Sequence, residues 1–396
     1  MKLKIVLVLA VILIGFSGYK LFYSQSADPQ AWAQALLAQA DIRINGDRPW
    51  DITVHNPKLY QRVLDQGSLG LGEAYMDGWW DAQALDQFFY KLLSADLGER
   101  ITFNWPLIAS YIKAKLMNLQ SKARAFQVGQ EHYDLGNDLF GAMLDDRMIY
   151  SCAYWKEASD LNEAQEAKLD LICRKLQLKP GMTLLDIGCG WGGLAAYAAQ
   201  HYGATVTGIT VSQEQANLSQ EKFKDLPVTF IVQDYRDLNQ KFDRVVSVGM
   251  FEHVGYKNYA TFMRVVHNCL KDDGLCLLHT IGSNTTLIAA DPWITRYIFP
   301  NGMLPSMQQI TKATEGLFII EDWHNFGADY DKTLMAWHER FNDAWPELKS
   351  RYDERFYRMW NYYLLSCAGL FRARKAQLWQ IMLAKNGVSG GYNSIR

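Results

Sequence analysis

The sequence predicts an α/β protein, a doubly wound and mostly parallel sheet preceded by a small, mostly helical domain. Three observations predict it. Strand-like apolar runs alternate with helical patterns from Leu184 to Thr280, as in a parallel sheet covered on both faces. A glycine-rich turn, Gly188 to Gly193, joins the first buried run to a helix. Before this region, helical periodicity is broken by Gly and Pro, and no acid, base and nucleophile group together there.

With 396 residues and 49% hydrophobic content, the chain can bury one large core and a smaller one. The expected divisions are a hydrophobic segment 1–26, a helical domain 27–124 for lipid access and a catalytic domain 125–396. A formal net charge of −2 gives no overall pull toward nucleic acid. The six cysteines form no C-x-x-C and no even framework, which argues against structural zinc and suits a reducing compartment. No metal is expected.

Taken in order, Lys2 and Lys4 precede an apolar run from Ile5 to Phe16, the length of a signal core and short for a membrane span. Three readings stand: an anchor, an export signal, or an extension of little consequence. Lysines at the very start favour the N-terminus staying inside, which would push the body outward. From Ala31 to Ala40 the pattern is helical; Asp41 to Pro57 alternates and breaks at Gly46, Pro49 and Pro57, as a short extended segment would. Gly67 to Leu93 is glycine-punctuated and then helical.

Ile101 to Gln130 contains no Asp or Glu, while Lys113, Lys115, Lys122 and Arg124 are interleaved with Ile108, Ile112, Leu116 and Leu119. Such a helix can lie on an anionic bilayer. It can equally be an amphipathic helix packed on its own domain. The linker is expected at Ser121 to Gly129.

Glu131 to Trp155 has the look of a segment folded over a site, Leu161 to Leu178 is helical, and Pro180-Gly181 turns the chain into the first strand. In Asp186-Ile-Gly-Cys-Gly-Trp-Gly192 the spacing is D-x-G-x-G-x-G, the usual opening of S-adenosylmethionine (SAM) methyltransferases. A dinucleotide fold would want an acid about 20 residues on, and Thr205 to Thr210 has none. SAM is therefore favoured over NAD, and a glycine turn that binds nothing remains as the bland alternative. A helix then enters through Ser212, with Gln215 completing a capping box. Asp186, Thr210, Asp234, the Gly249 to Glu252 turn and Thr280 should all lie at the ligand edge of the sheet.

At this point a resemblance is carried by EHYDLGNDLF, YSCAYWK, LDIGCGWGGLA, QDYRDL, SVGMFEHVG, LLHTIGS, DPWITRYIFPNG, EDWHNFGADYDKTLMAWHERF and SCAGLFRARKAQLWQ, which run in order to the end. The chain resembles the cyclopropane-fatty-acyl-phospholipid synthases, which use SAM to turn an acyl-chain double bond into a cyclopropane. The resemblance implies unsaturated phospholipid in a bilayer as substrate and a homodimer as assembly. It places Tyr150 and Ser151 over SAM, Leu184 to Gly192 (with Asp186, Gly188, Cys189, Gly190 and Gly192) at the methionine portion, Thr210 to Gln215 at the ribose, and Asp234, Tyr235 and Arg236 around the adenine. For Tyr235, a simple core aromatic is the alternative.

The resemblance also implies a bound bicarbonate as base, held by the side chains of Glu252, His279 and Tyr330 and by the backbone of Cys152 and Ile281. Read without it, Glu252 caps a helix, His279 bonds a carbonyl and Tyr330 packs in a core. Cys367 matches a thiol linked to activity; with no neighbouring His to activate it, it is expected near the site and not as a reactant. The insert Asp291 to Pro305, with Trp293, Tyr297 and Phe299, either lines the acyl channel or merely packs. Two other functions stay open: a lipid methyltransferase that leaves a methyl or methylene branch, and an anchored module without catalysis. Because SAM and reduced thiols are cytosolic, the body is expected at the cytoplasmic face of the inner membrane, with export as the alternative.

Overall fold

A computed structural model describes residues 28–97, 115, 118, 120, 122 and 136–396. The N-terminal hydrophobic segment, Lys113, Arg124 and most of the expected basic helix lie outside the described residues. So do Glu131 to Leu135, the beginning of the covering segment.

The N-terminal part folds as α1 (Pro29–Gln39), β1 (Ile52–Val54), α2 (Lys58–Gln66), α3 (Ser68–Met76), β2 (Trp80–Ala82) and α4 (Leu85–Ser94). The short extended segment is β1, paired antiparallel with β2. The covering segment contributes α5 (Asn137–Met143) and then runs without regular structure to α6 (Leu161–Lys175). Asp160 caps α6 by accepting the Glu163 amide, and the helix stops one turn earlier than its periodicity predicts.

From there the chain winds β3 (Thr183–Ile187), α7 (Gly193–Tyr202), β4 (Thr205–Thr210), α8 (Gln213–Lys222), β5 (Val228–Val232), β6 (Phe242–Val248), α9 (Tyr259–Cys269) and β7 (Leu270–Ser283). Then come α10 (Pro292–Tyr297), α11 (Met307–Thr314), β8 (Ile319–Asn325), α12 (Ala328–Leu348), α13 (Glu354–Arg372) and β9 (Ala376–Ala384). The sheet order is β5-β4-β3-β6-β7-β9-β8. The first five strands are parallel, and β9 runs antiparallel between β7 and β8. The doubly wound, mostly parallel sheet is the expected one, and it continues past the Leu184 to Thr280 region into β8 and β9, which make it seven-stranded.

Strand alternation divides the core into two layers. Leu184, Val206, Val246, Leu277 and Met382 face α6 and α7, whereas Leu185, Ile209, Val245, Leu278 and Ile381 face α9 and α11. Ser212 caps α8 through the Gln215 amide, as predicted; the Gln215 side chain instead accepts the Thr210 hydroxyl at 2.9 Å, so only half of the capping box forms. A third cluster joins Leu37, Trp80, Phe88 and Phe89 of the N-terminal part to Trp337, Trp360 and Leu364 of α12 and α13. Arg372 of α13 ties the same corner, bonding Asp331 of α12 and Asp86 of α4.

Candidate active site

β3, β4 and β6 all end at one edge, with β3 central, and strand order reverses between β4 and β6. A cavity opens there, as ligand sites in such sheets do. Tyr150, Ser151, Asp186, Gly188, Cys189, Gly190, Thr210, Gln215, Asp234, Tyr235 and Arg236 all line it. Gly190 has φ +54°, and a Cβ there would meet nothing within 4 Å, so the turn leaves open space for a ligand. Gly192 differs from expectation. It does not line the cavity, and a Cβ on it would meet Phe230 at 2.5 Å, so its bareness serves packing.

Asp186 is 1% exposed, and its Oδ1 has no hydrogen-bond partner among the described residues. Burial pushes its carboxyl up to about 7, opposed by the Lys168 charge. A buried acceptor without a partner costs free energy until a donor arrives, which suits a ligand that brings an ammonium. The Tyr235 ring packs edge-on to Phe262 with the Arg236 guanidinium over it at 4.6 Å, and its buried hydroxyl also lacks a partner among the described residues. Arg236 is held by Asp234 at 2.8 Å and by the Gln120 carbonyl.

Sequence patterns did not single out the residues that hold the cover. Lys168, fully buried on α6, donates to Ser151 Oγ at 2.8 Å, and Gln165 one turn earlier donates to the Ser151 carbonyl. A signal was present: two polar residues fall on the apolar face of a helix. Tyr150 donates to or accepts from Tyr363 at 2.8 Å, and its ring lies 5.2 Å from Trp337 and 6.4 Å from Phe299. Within the insert, Trp293 packs on Tyr362 and bonds Met76, and Tyr297 bonds Glu73. Phe299 turns the other way, toward Tyr150, His253 and Tyr363.

Glu252, His279, Ile281, Cys152, Tyr330 and Cys367 are not among the residues that line the cavity. Glu252 Oε1 accepts the Ile281 amide at 2.6 Å, while Oε2 is buried with no partner among the described residues. Burial raises the Glu252 carboxyl to about 7. His279 is 1% exposed, its Nε2 likewise lacks a partner among the described residues, and burial holds its ring well below the ordinary value, with Lys168 and Lys175 adding to the effect. Burial holds the Tyr330 hydroxyl well above its ordinary value, with Cys152, Tyr150, Glu252 and Cys367 adding to the effect. Burial pushes the Cys367 thiol up to about 12, so almost no thiolate exists at neutral pH.

The family described as mycolic acid cyclopropane synthetase matches residues 120–381. A cyclopropane-fatty-acyl-phospholipid synthase of Escherichia coli strain K12 is 58% identical over 364 residues, covering 92% of this chain and 95% of that protein. The chain belongs to the cyclopropane synthase family. The structure of the cyclopropane synthase MmaA2 from Mycobacterium tuberculosis aligns with a TM-score of 0.62 at 35% identity, over 66% of this chain and 98% of that one. The mycolic acid cyclopropane synthase CmaA1 complexed with SAH and CTAB aligns with a TM-score of 0.61 at 33% identity, over 66% and 98%. This cyclopropane synthase is thus a SAM-dependent enzyme of the methyltransferase type, as its glycine turn and strand order predict.

Proposed function

We propose that this cyclopropane synthase acts on unsaturated phospholipid acyl chains in a bilayer and that a bound bicarbonate serves as its base. The observation that carries the reading is that Glu252 Oε2 and His279 Nε2 are both buried and both without a partner among the described residues. An acceptor and an imidazole nitrogen without partners among the described residues fit a small oxyanion bearing one hydroxyl.

SAM supplies the electrophilic methyl when bound. Asp186 and the turn Gly188 to Gly190 hold its methionine portion, Thr210 and Gln215 the ribose side, and Asp234, Tyr235 and Arg236 the adenine. Tyr150 and Ser151 close over it, fixed by Tyr363, Lys168 and Gln165. An alkene is a weak nucleophile, so the gain comes from holding the reacting atoms in line and excluding water. Attack leaves a cation on the acyl chain, and the faces of Tyr150, Phe299, Tyr363 and Trp337 can stabilise it.

Bicarbonate, when bound, supplies the base that takes a proton from the added methyl before the ring closes. Glu252 Oε2 accepts its hydroxyl proton, while His279 Nε2, the Tyr330 hydroxyl and the Cys152 amide hold its oxygens. The Ile281 amide already donates to Glu252, so it reaches the anion only as Glu252 Oε1 gives it up. Cys367 takes no step.

Product analysis separates ring formation from plain methylation. With a SAM whose transferred methyl is fully deuterated, the product should keep two deuterons, lose one to the base and contain no olefin. A product with two deuterons on a new exocyclic olefinic carbon is a methylene branch, one that keeps all three deuterons is a methyl branch, and either would overturn the reading.

The proposal extends to the remaining segments: 1–26 as anchor, 27–124 as lipid-access domain, 125–396 as the catalytic body at the cytoplasmic face of the membrane, and a homodimer. No helix among the described residues is long and apolar enough to cross a membrane. Lys122 is paired with Asp237 at 2.6 Å, so it is better left out of a charge test. The triple reversal Lys113→Glu, Lys115→Glu and Arg124→Glu should weaken binding to anionic vesicles and leave SAM affinity intact, and salt should weaken native binding. Unchanged partitioning of the folded variant would show that these residues merely solubilise a packed helix.

A further inference from the structure

We propose that Gln380 is a positioning residue that locks His279 in the tautomer carrying its proton on Nε2, so that the ring faces the reacting site as a donor. This rests on the reading that His279 holds the oxyanion.

The antiparallel register of β7 and β9 sets Gln380 directly opposite His279. Opposed residues of such a pair project from the same face, and Gln380 is completely buried. Its Nε2 lies 3.3 Å from His279 Nδ1. An amide nitrogen has protons and no lone pair to offer, so Nδ1 must be the acceptor. A neutral imidazole that accepts at Nδ1 carries its proton on Nε2. The ring is neutral because burial and the charges of Lys168 and Lys175 all oppose protonation.

The reversed amide, with Oε1 toward the ring, would put the proton on Nδ1 and leave Nε2 as an acceptor. That arrangement conflicts with the surroundings. In the proposed site His279 Nε2 and Glu252, whose Oε1 accepts the Ile281 amide, hold the same anion. An acceptor turned toward a carboxylate and an oxyanion is left unsatisfied, whereas a donor is paired. The ring of Phe326, 5.9 Å from that of His279, offers no proton and cannot set the tautomer.

A glutamine also serves here where a carboxylate would not. Glutamate could only accept from Nδ1, would draw a second proton onto the ring, and would place an imidazolium beside a cationic transition state. Gln380 orients without adding charge. Its own Oε1 has no partner among the described residues, so the lock is made at the cost of one unsatisfied carbonyl.

The native protein allows the first test. Nitrogen NMR of the enzyme labelled at histidine should show the His279 ring neutral, with Nε2 protonated and Nδ1 bare. A proton on Nδ1 would overturn the proposal without need of a variant. In Gln380→Met, which keeps the volume but neither donates nor accepts, the Nδ1 proton should appear in part of the population. The bicarbonate concentration for half-maximal rate should then rise roughly tenfold, with SAM affinity unchanged. A variant that keeps a pure Nε2–H ring would also overturn it. If the tautomer is as assigned and responds to Gln380→Met while bicarbonate has no effect on either protein, the lock stands and the anion reading falls.

Discussion

Glu252→Gln should lower turnover by roughly 10²- to 10⁴-fold, the loss typical of a disabled general base, with SAM affinity nearly unchanged. The substitution keeps the shape of the side chain and its acceptor for the Ile281 amide but removes the charge that receives the hydroxyl proton of the base. Stability should move the other way. Glu252 titrates near 7 in the fold, raised by burial from an ordinary 4.5, so the folded chain binds the proton more tightly than the unfolded one. Its contribution is therefore most favourable below about pH 4.5 and is lost as pH rises to about 7, a loss on the order of 3 kcal/mol. At pH 8 the Gln variant should match or exceed the native Tm. A variant that is slow because it is unfolded would show the reverse.

Asp186→Asn should give the complementary pattern, in which cofactor affinity suffers first. The carboxylate is buried at the end of β3 with one oxygen unpartnered among the described residues, and a hydrogen bond to a charged group is worth enough to lower SAM affinity by about 10- to 100-fold when it is weakened. Burial raises its carboxyl from 3.8 to about 7, so the native stability it contributes falls as pH rises through that interval. The Asn variant should lose that part of the pH dependence. Calorimetric titration with SAH and thermal melts at pH 5 and pH 8 measure both effects. Native SAM affinity in the folded variant would remove Asp186 from the cofactor site.

The parallel half of the sheet was legible because its strands read as apolar or β-branched runs that alternate with helical patterns. The antiparallel half was hidden. In β9 every residue is buried, including Gln377 and Gln380, and a buried run with two glutamines lacks the alternation that marks a strand. β8 contains Glu, Asp, His and Asn, with both ends exposed, and reads as a loop. The eleven cofactor candidates that line the cavity, from Tyr150 to Arg236, were legible from the glycine turn, the strand ends and the family motifs. Lys168 and Gln165 were missed because a helix pattern is scored by its apolar members, and the informative residues were the two polar ones among them. Gln380 was out of reach for another reason: only strand pairing brings it to His279, 101 residues away in the chain.

The most direct test of the bicarbonate reading is the rate of the native enzyme as a function of bicarbonate at fixed pH and ionic strength, in buffers freed of carbon dioxide. Turnover should fall on depletion and recover on addition in the native protein, while Glu252→Gln recovers far less. A native rate indifferent to bicarbonate, together with a folded Glu252→Gln enzyme that makes cyclopropanes equally fast, would contradict it.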